Sequence, residues 1–546
     1  MESFDVVVLG TGAAGLTAAI AAHDNGARVA LFEKSDKVGG TSAWSGGQIW
    51  LPNNPYGRAN GKADSREDAL RYFASLSNGL ISDEIAAAYV DGTAEMIAHL
   101  EAKTPVAFYG VSDFPDYHPE LPGGKPEGGR TVECPPYPYG ELGEWQDRVE
   151  VSPYFPDIHI AVGETTLGQA IPAPMDPAVK QRRVDNDERG LGHALVGRLL
   201  RACLDRGIEP RTGHRAIDLV MDQGRVSGVR FETAEGPVAV PARNVILATG
   251  GFEWNERFLR AFLRGPMTHP VSVRTNTGDG LRMALKAGAM LGNMREAWWA
   301  PVIEVPKETV WMERQLMSAP RGLPGTIIVN RQGKRFMNEA ANYNAAGAAL
   351  HEQDTATSSY RNLPCWIIFS QEYYDKYGFA GGVAANFVKG DAPPDWIMRG
   401  DTLTALAERI GIPGDALEES VARFNRHAEQ GEDPDFHRGD SAHDRWWGDP
   451  TWKGTKRATL GPVGHGPYYA VEIKSGSLGT KGGPQTDGHG RVLDLDGAPI
   501  EGLYAAGNVM ASPFGMTYGG AGGTLGPAMV FGFLGGRHAA RHNATR

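Results

Sequence analysis

The chain has 546 residues, 41% hydrophobic and 22% charged, with a formal net charge of −11. That length exceeds one ordinary core and predicts two or more interlocked domains with room for a sizeable pocket. The acidic balance argues against a nucleic-acid partner, which needs a basic face to release counterions, and the absence of a long uninterrupted apolar run predicts no transmembrane helix.

Met1-Glu2-Ser3 passes directly into the strand-like run Phe4 to Leu9 with no basic stretch before it, so no secretory signal and a cytoplasmic location are expected. Gly10-Thr11-Gly12-Ala13-Ala14-Gly15 then sets G-x-G-x-x-G between that strand and a helix expected over Leu16 to Asn25. Gly10 permits the sharp turn, Gly12 lets backbone approach a pyrophosphate and Gly15 lets helix pack on strand, while the helix N-terminus presents oriented N–H groups. A second strand, Val29 to Phe32, delivers Glu33 at the spacing of an acid that binds ribose hydroxyls. Lys34 and Asp279 are placed in the same site. The fingerprint alone does not separate NAD from FAD, but a further cluster, Gly39-Gly40-Thr41-Ser42 and Ser45-Gly46-Gly47, stands where a longer cofactor needs more contacts.

From about Thr104 to Gly190 the chain is rich in Pro, Gly and Tyr and poor in helical spacing, as expected of either a lid or a surface elaboration. A helix from Gly192 and strands over Ile217 to Val220, Val226 to Phe231 and Val238 to Val240 follow, and then a buried strand, Asn244 to Thr249, ends in the turn Thr249-Gly250-Gly251. Composition shifts between about Gly288 and Gly479, with clustered Trp, Met and Pro, and predicts an inserted domain. Trp298, Trp299, Trp311, Phe336 and Phe514 suit either an apolar ring substrate or aromatic core packing. The scattered Cys134, Cys203 and Cys365 form no metal or disulfide pattern and read as inert thiols. His437, Asp440, His443 and Asp444 match no standard metal-ligand spacing and read as a solvated charged loop, so no metal is expected.

Lys37-Val38-Gly39-Gly40-Thr41-Ser42, Ala248-Thr249-Gly250-Gly251 and Gly502-Leu503-Tyr504-Ala505-Ala506-Gly507-Asn508 together resemble the flavoprotein family of fumarate reductase, succinate dehydrogenase and 3-ketosteroid dehydrogenases. The resemblance implies a non-covalent FAD and an α/β fold. In that fold a Rossmann-like FAD-binding domain is built from both chain ends, residues 1–287 and 480–546, around an inserted α+β catalytic (cap) domain, residues 288–479. It also implies that Gly522-Gly523-Thr524-Leu525 opens a helix whose positive end faces the flavin ring.

Three further segments resemble 3-ketosteroid 1-dehydrogenases. Ile328 to Glu339 followed by Tyr343 matches the segment whose tyrosine abstracts the proton next to the carbonyl. Phe514 to Gly522 resembles the Tyr-Pro-Gly-Pro-Gly element whose tyrosine and last glycine hold the ketone oxygen, which here are Tyr518 and Gly522; Gly519 and Ala521 stand where that motif has prolines. Asp116 to Glu120 resembles the segment supplying a third tyrosine that supports the base, here Tyr117. The implied reaction removes an α proton and passes a β hydride to flavin, most directly 1,2-desaturation of a 3-ketosteroid, with a smaller cyclic ketone or another ketosteroid bond left open. No second nucleotide fingerprint is present, so an external electron acceptor such as a quinone is expected instead of NAD(P)H. Fumarate reduction lacks its proton-delivering arginine after Glu339, where Ala340-Ala341-Asn342-Tyr343 follows.

Overall fold

Two seven-stranded sheets form the computed structural model, which describes residues 2–544 apart from 112, 156, 166, 169–170, 172–173, 307–312, 319 and 380–392. The first sheet begins with β1 (Phe4–Leu9), the helix α1 (Ala13–Asp24) and β2 (Val29–Phe32). After the irregular stretch come α2 (Leu191–Leu204), β3 (Arg215–Asp222), β4 (Arg225–Thr233) and β5 (Gly236–Leu247). The second sheet is drawn from β6 (Ala297–Glu304), β7 (Arg314–Leu316), β8 (Thr326–Asn330), β9 (Cys365–Ser370), β10 (Met398–Gly400) and β11 (Tyr468–Thr480), and the helix α3 (Tyr343–Ala349) lies between β8 and β9 in sequence. The chain then returns to the first sheet with β12 (Arg491–Leu493) and β13 (Pro499–Ala505) and closes with α4 (Leu525–Ala544).

The first sheet has the order β2-β1-β5-β13-β12, with β3 and β4 extending from β5. The parallel registers Val8↔Ile246 and Leu247↔Ala505 set strands from the two ends of the chain on either side of β5. Val6, Val7 and Val8 are fully buried, as the uninterrupted apolar run of a parallel strand covered on both faces requires. Where the sequence predicts two strands, Val238 to Val240 and Asn244 to Thr249, the structure has the single β5. Its first half, residues 236–241, pairs antiparallel with β4 and its second half, from Ala242, pairs parallel with β1. Pro241 stands at this change of partner, where a missing N–H costs no ladder bond.

The second sheet has the order β7-β6-β11-β9-β8, with His269–Pro270 and β10 also on β11. β11 is thirteen residues long and runs out of this sheet into Lys481 and Gly483, back toward the first one. Ile303, Ile328, Ile367, Phe369 and Ile473 fill one core on this sheet, and Ile327, Ile368, Leu406 and Phe424 fill another. Among the described residues no helix is long and apolar enough to cross a membrane. Cys134, Cys203 and Cys365 are buried and unpaired, and burial pushes the first two thiols up to about 12.

Candidate functional site

At the end of β1, Gly10 adopts φ +106°, and a Cβ there would lie 2.3 Å from the Ala248 carbonyl oxygen at the end of β5. A Cβ on Gly15 would lie 1.9 Å from the Gly10 oxygen, so this glycine allows α1 to rest on the turn. Ser42 Oγ accepts from Ala13 N–H at 3.0 Å, and the Glu33 carboxylate accepts from the Thr11 N–H and hydroxyl at 3.0 and 2.7 Å. Glu33 therefore organises the turn as well as facing the cavity. Lys34 pairs with Asp279 at 2.9 Å and Arg215 does so at 3.0 Å. Burial pushes the Asp279 carboxyl up, but Arg215 and Lys34 outweigh it and hold the group below its ordinary value.

This turn forms one end of a cavity that, with its mouth included, encloses about 1670 Å³ of empty space. Every sequence-predicted cofactor residue lines it except Gly15, Gly251 and Gly523. Those three serve packing instead. Gly15 seats α1, a Cβ on Gly251 would lie 2.3 Å from Glu253 Oε2 and from Thr480 Oγ1, and one on Gly523 would lie 2.7 Å from the Tyr518 ring. Gly507, Asn508, Thr524 and Leu525 bring the C-terminal part of the chain to the same wall, at the start of α4. A glycine cradle at one helix N-terminus and a second helix N-terminus further along the cavity fit a cofactor with a pyrophosphate and an electron-accepting ring, and both features are those that FAD requires.

The far end of the cavity is lined by Tyr117, Tyr343, Tyr518 and Gly522. The three rings form a triangle with centroid separations of 5.4, 5.1 and 5.5 Å, each pair edge to face. Tyr343 is the first residue of α3, whose cap Asn342 accepts from Ala345 N–H at 3.0 Å and donates to the Tyr117 carbonyl at 3.4 Å. Tyr117 N–H donates to the Gly519 carbonyl at 2.9 Å, and Tyr72 OH donates to the same oxygen at 2.8 Å. The glycine at 519 is thus packed in place: a Cβ there would lie 2.6 Å from the Phe514 ring. Gly522 adopts φ +97°, and among the described residues its N–H has no protein acceptor while its carbonyl accepts from Trp50 N–H.

Burial raises all three phenols above the ordinary tyrosine value. Tyr343 is raised further by Tyr117 and Tyr518, its neighbours in the triangle. Against the effect of burial, Tyr343 and Arg321 favour the charged form of Tyr117, and Tyr343 and Thr524 favour that of Tyr518.

For the aromatic cluster the structure selects the core-packing alternative, and for other residues it corrects the sequence expectation. Trp298, Trp299, Phe336 and Phe514 do not line the cavity; Trp298 and Phe514 pack behind Tyr518 at 4.6 and 6.4 Å, and Trp299 packs on His351 at 4.2 Å. Trp298, Trp299 and Phe514 are core residues and Phe336 packs half-buried against the core of the second sheet, while Trp311 lies outside the described residues. The charged-loop reading of His437 to Asp444 fails for His443 and Asp444, which are buried in the turn of helix Ala442–Trp446, with the His443 ring 5.0 Å from that of Tyr117. Sequence reasoning also missed Tyr154, Phe155 and Leu167 of the irregular stretch, which line the cavity. Leu167 presses so closely on the cofactor wall that a Cβ on Gly46 would lie 2.4 Å from its Cδ1, and Trp446 Nε1 donates to the Gly168 carbonyl at 3.1 Å. Their signal was compositional only: aromatic and aliphatic residues in a segment with no period.

The FAD binding domain family model matches residues 5–525. The chain is 40% identical over 550 residues to 4-oxocyclohexanecarboxylate 2-dehydrogenase of Sinomonas cyclohexanicum, covering 99% of this chain and 93% of that protein. It is 38% identical over 573 residues to 3-oxosteroid 1-dehydrogenase of Mycobacterium tuberculosis (strain ATCC 25618 / H37Rv), covering 100% of each. Among solved structures, 3-ketosteroid delta1-dehydrogenase from Sterolibacterium denitrificans in complex with 1,4-androstadiene-3,17-dione matches with a TM-score of 0.88 at 34% identity, over 99% of this chain and 100% of that one. With almost the whole sequence matched, the chain belongs to the FAD binding domain family, in the group of FAD-dependent dehydrogenases that includes the 3-oxosteroid 1-dehydrogenases.

Proposed function

We propose that this protein introduces a carbon-carbon double bond next to the carbonyl of a cyclic ketone, with 1,2-desaturation of a 3-ketosteroid as its reaction. The observation that carries the reading is the buried triangle of Tyr117, Tyr343 and Tyr518 beside Gly522, on the same cavity as the glycine cradle. A hydrogen α to a ketone is only weakly acidic, so donors on the oxygen must stabilise the developing enolate. Tyr518 OH and Gly522 N–H are assigned that task, and removing one such donor costs roughly 10²–10³ in turnover. Tyr343 is assigned as the base that takes the α proton, and Tyr117 as its support. FAD, when bound, supplies the acceptor for the hydride that leaves the β carbon. The chain's own contribution is to hold the ketone oxygen, set the α hydrogen before Tyr343 and exclude water.

The substrate class follows from the walls. Tyr154, Phe155, Leu167, Val271, Leu316 and Leu478 also line the cavity, and among the described lining residues the Lys, Arg or His side chains are Lys34, which pairs with Asp279, and His214, which packs on Phe32. An uncharged fused-ring ketone fits that surface. A smaller ring carrying a carboxylate, as named for the Sinomonas relative, is the second reading, favoured by the 40% identity; it requires a cation to meet the carboxylate. Residues 1–287 and 480–546 are assigned to the cofactor and 288–479 to the substrate cap. A single dinucleotide fingerprint supports an external acceptor, a quinone, for reoxidation.

Anaerobic mixing of the FAD-loaded protein with a 3-ketosteroid is the test. Rapid bleaching of the flavin absorbance with the steroid, and none with 4-oxocyclohexanecarboxylate, is expected. The reverse preference selects the second reading, and no bleaching with either ketone removes the desaturase proposal.

A further inference from the structure

Behind the tyrosine triangle lies Arg321, 1% exposed, in the short turn Pro320–Gly322. Its Nε donates to the Met317 carbonyl at 2.9 Å, its Nη1 donates to the carbonyls of Glu339 and Ala341, and its Nη2 has no partner. Among the described residues no carboxylate forms an ion pair with it. The Glu339 carboxylate is taken by Arg335 at 2.7 Å and Arg438 at 3.2 Å. Burial pushes the Arg321 guanidinium down to about 10, which leaves it charged at neutral pH, and a buried charge outside an ion pair is costly. The carbonyls it grips belong to the turn that leads into Asn342 and Tyr343, so the same group that carries the charge also fixes the approach to both tyrosines.

We infer that Arg321 is a positioning residue for proton abstraction: its unpaired guanidinium supplies the positive field that lets Tyr117 and Tyr343 share one negative charge. The inference rests on the desaturase reading. Before turnover the pair gives one proton to solvent. When the α C–H bond breaks, its proton restores the pair to two neutral phenols, and its electron pair stays on the enolate held by Tyr518 and Gly522. The other groups facing Tyr117 do not supply this field. His443, against its ring, is kept neutral because burial and Arg321 push it down to about 3, and burial also lowers His118. Tyr518 opposes a charge on Tyr117, whereas Arg321 favours one. Asp444, which burial raises to about 6, is the nearby anion that partly offsets Arg321.

The test measures the pH dependence of flavin reduction by the ketone, together with the ultraviolet difference signal of phenolate formation, in wild type, Arg321→Met, Arg321→Lys and Asp444→Asn. Arg321→Met is expected to move the rising limb of the rate, and the phenolate signal with it, to higher pH by about one unit or more. Arg321→Lys, which keeps the charge but not the fork, is expected to hold the limb near wild type, and Asp444→Asn to move it to lower pH. An Arg321→Met limb that coincides with wild type, or Met and Lys variants that shift alike, overturns the proposal. If Arg321→Met fails to hold FAD, the Asp444→Asn limb decides, and an unmoved limb overturns the proposal. A wild type that no ketone reduces removes the desaturase reading itself, an outcome distinct from wild-type bleaching with unmoved variant limbs.

Discussion

Replacing Gly15 with alanine tests how tightly the cofactor cradle is built. The added Cβ would lie 1.9 Å from the Gly10 oxygen, and 3.4 Å is where ordinary contact begins. Relief therefore needs a shift of about 1.5 Å, the difference between those two distances. α1 has no room for that shift, because α4 lies on its other face: Cβ atoms on Gly532 and Gly536 would fall 2.4 and 2.3 Å from the carbonyl oxygens of Ala14 and Ala18. The overpacking is expected to cost toward the upper end of the ~1–3 kcal/mol seen for extra core atoms. A misplaced α1 N-terminus also loses charge-assisted bonds to the pyrophosphate, each worth ~1.5–3 kcal/mol. Losing one weakens FAD binding roughly ten- to hundred-fold. Fluorescence titration of the apoprotein with FAD, and thermal melting, read both effects. Gly140→Ala, where a Cβ meets nothing within 4 Å, is the control. A Gly15→Ala protein that binds FAD and melts like wild type would refute the reasoning.

Tyr518→Phe and Tyr343→Phe should each lower kcat by ~10²-fold or more while FAD content stays unchanged; near-normal turnover withdraws the assigned roles. Arg130 is buried between Asp64 and Asp116, at 2.8 Å from each, and Asp116 directly precedes Tyr117. Arg130→Met leaves buried Asp116 without its cation and Asp64 with only Lys125 at 3.6 Å, which should destabilise the protein by ~3–5 kcal/mol, measured by denaturant unfolding followed through tryptophan fluorescence. Burial pushes Asp449 up, but Lys376, Tyr377 and Thr451 outweigh it and hold the carboxyl at about 2. Its folded value lies below its unfolded one, so this contribution is full above the ordinary carboxylate range and is lost as pH falls toward 2. Asp449→Asn should accordingly flatten the loss of stability on acidification, and an unchanged acid limb would show that the carboxylate contributes nothing.

The cofactor half of the site was readable because the backbone imposes its requirements locally. A turn with positive φ at Gly10, a helix resting on a carbonyl at Gly15 and a carboxylate at the end of β2 each demand one residue type at one spacing. The tyrosines at 117, 343 and 518 were legible only through resemblance, since nothing in the local spacing of a tyrosine records which cavity it will face. Their convergence is tertiary: Asn342 and the Gly519 carbonyl tie the three segments together across more than two hundred residues of chain.

The sequence by itself determined the dinucleotide turn, because apolar runs and glycines answer to neighbours in the chain, while the α/β class and the return of the C-terminal segment to the first sheet were legible through the family resemblance. Only the tertiary structure decided that Tyr154, Phe155 and Leu167 line the cavity while Trp298 and Phe514 do not. It also decided that His443 and Asp444 are buried and that Arg321 is buried behind the tyrosines with its Nη2 unpartnered. An aromatic ring or a charge has the same identity in a core, on a cavity wall or in solvent, and its role is settled by what the fold packs against it.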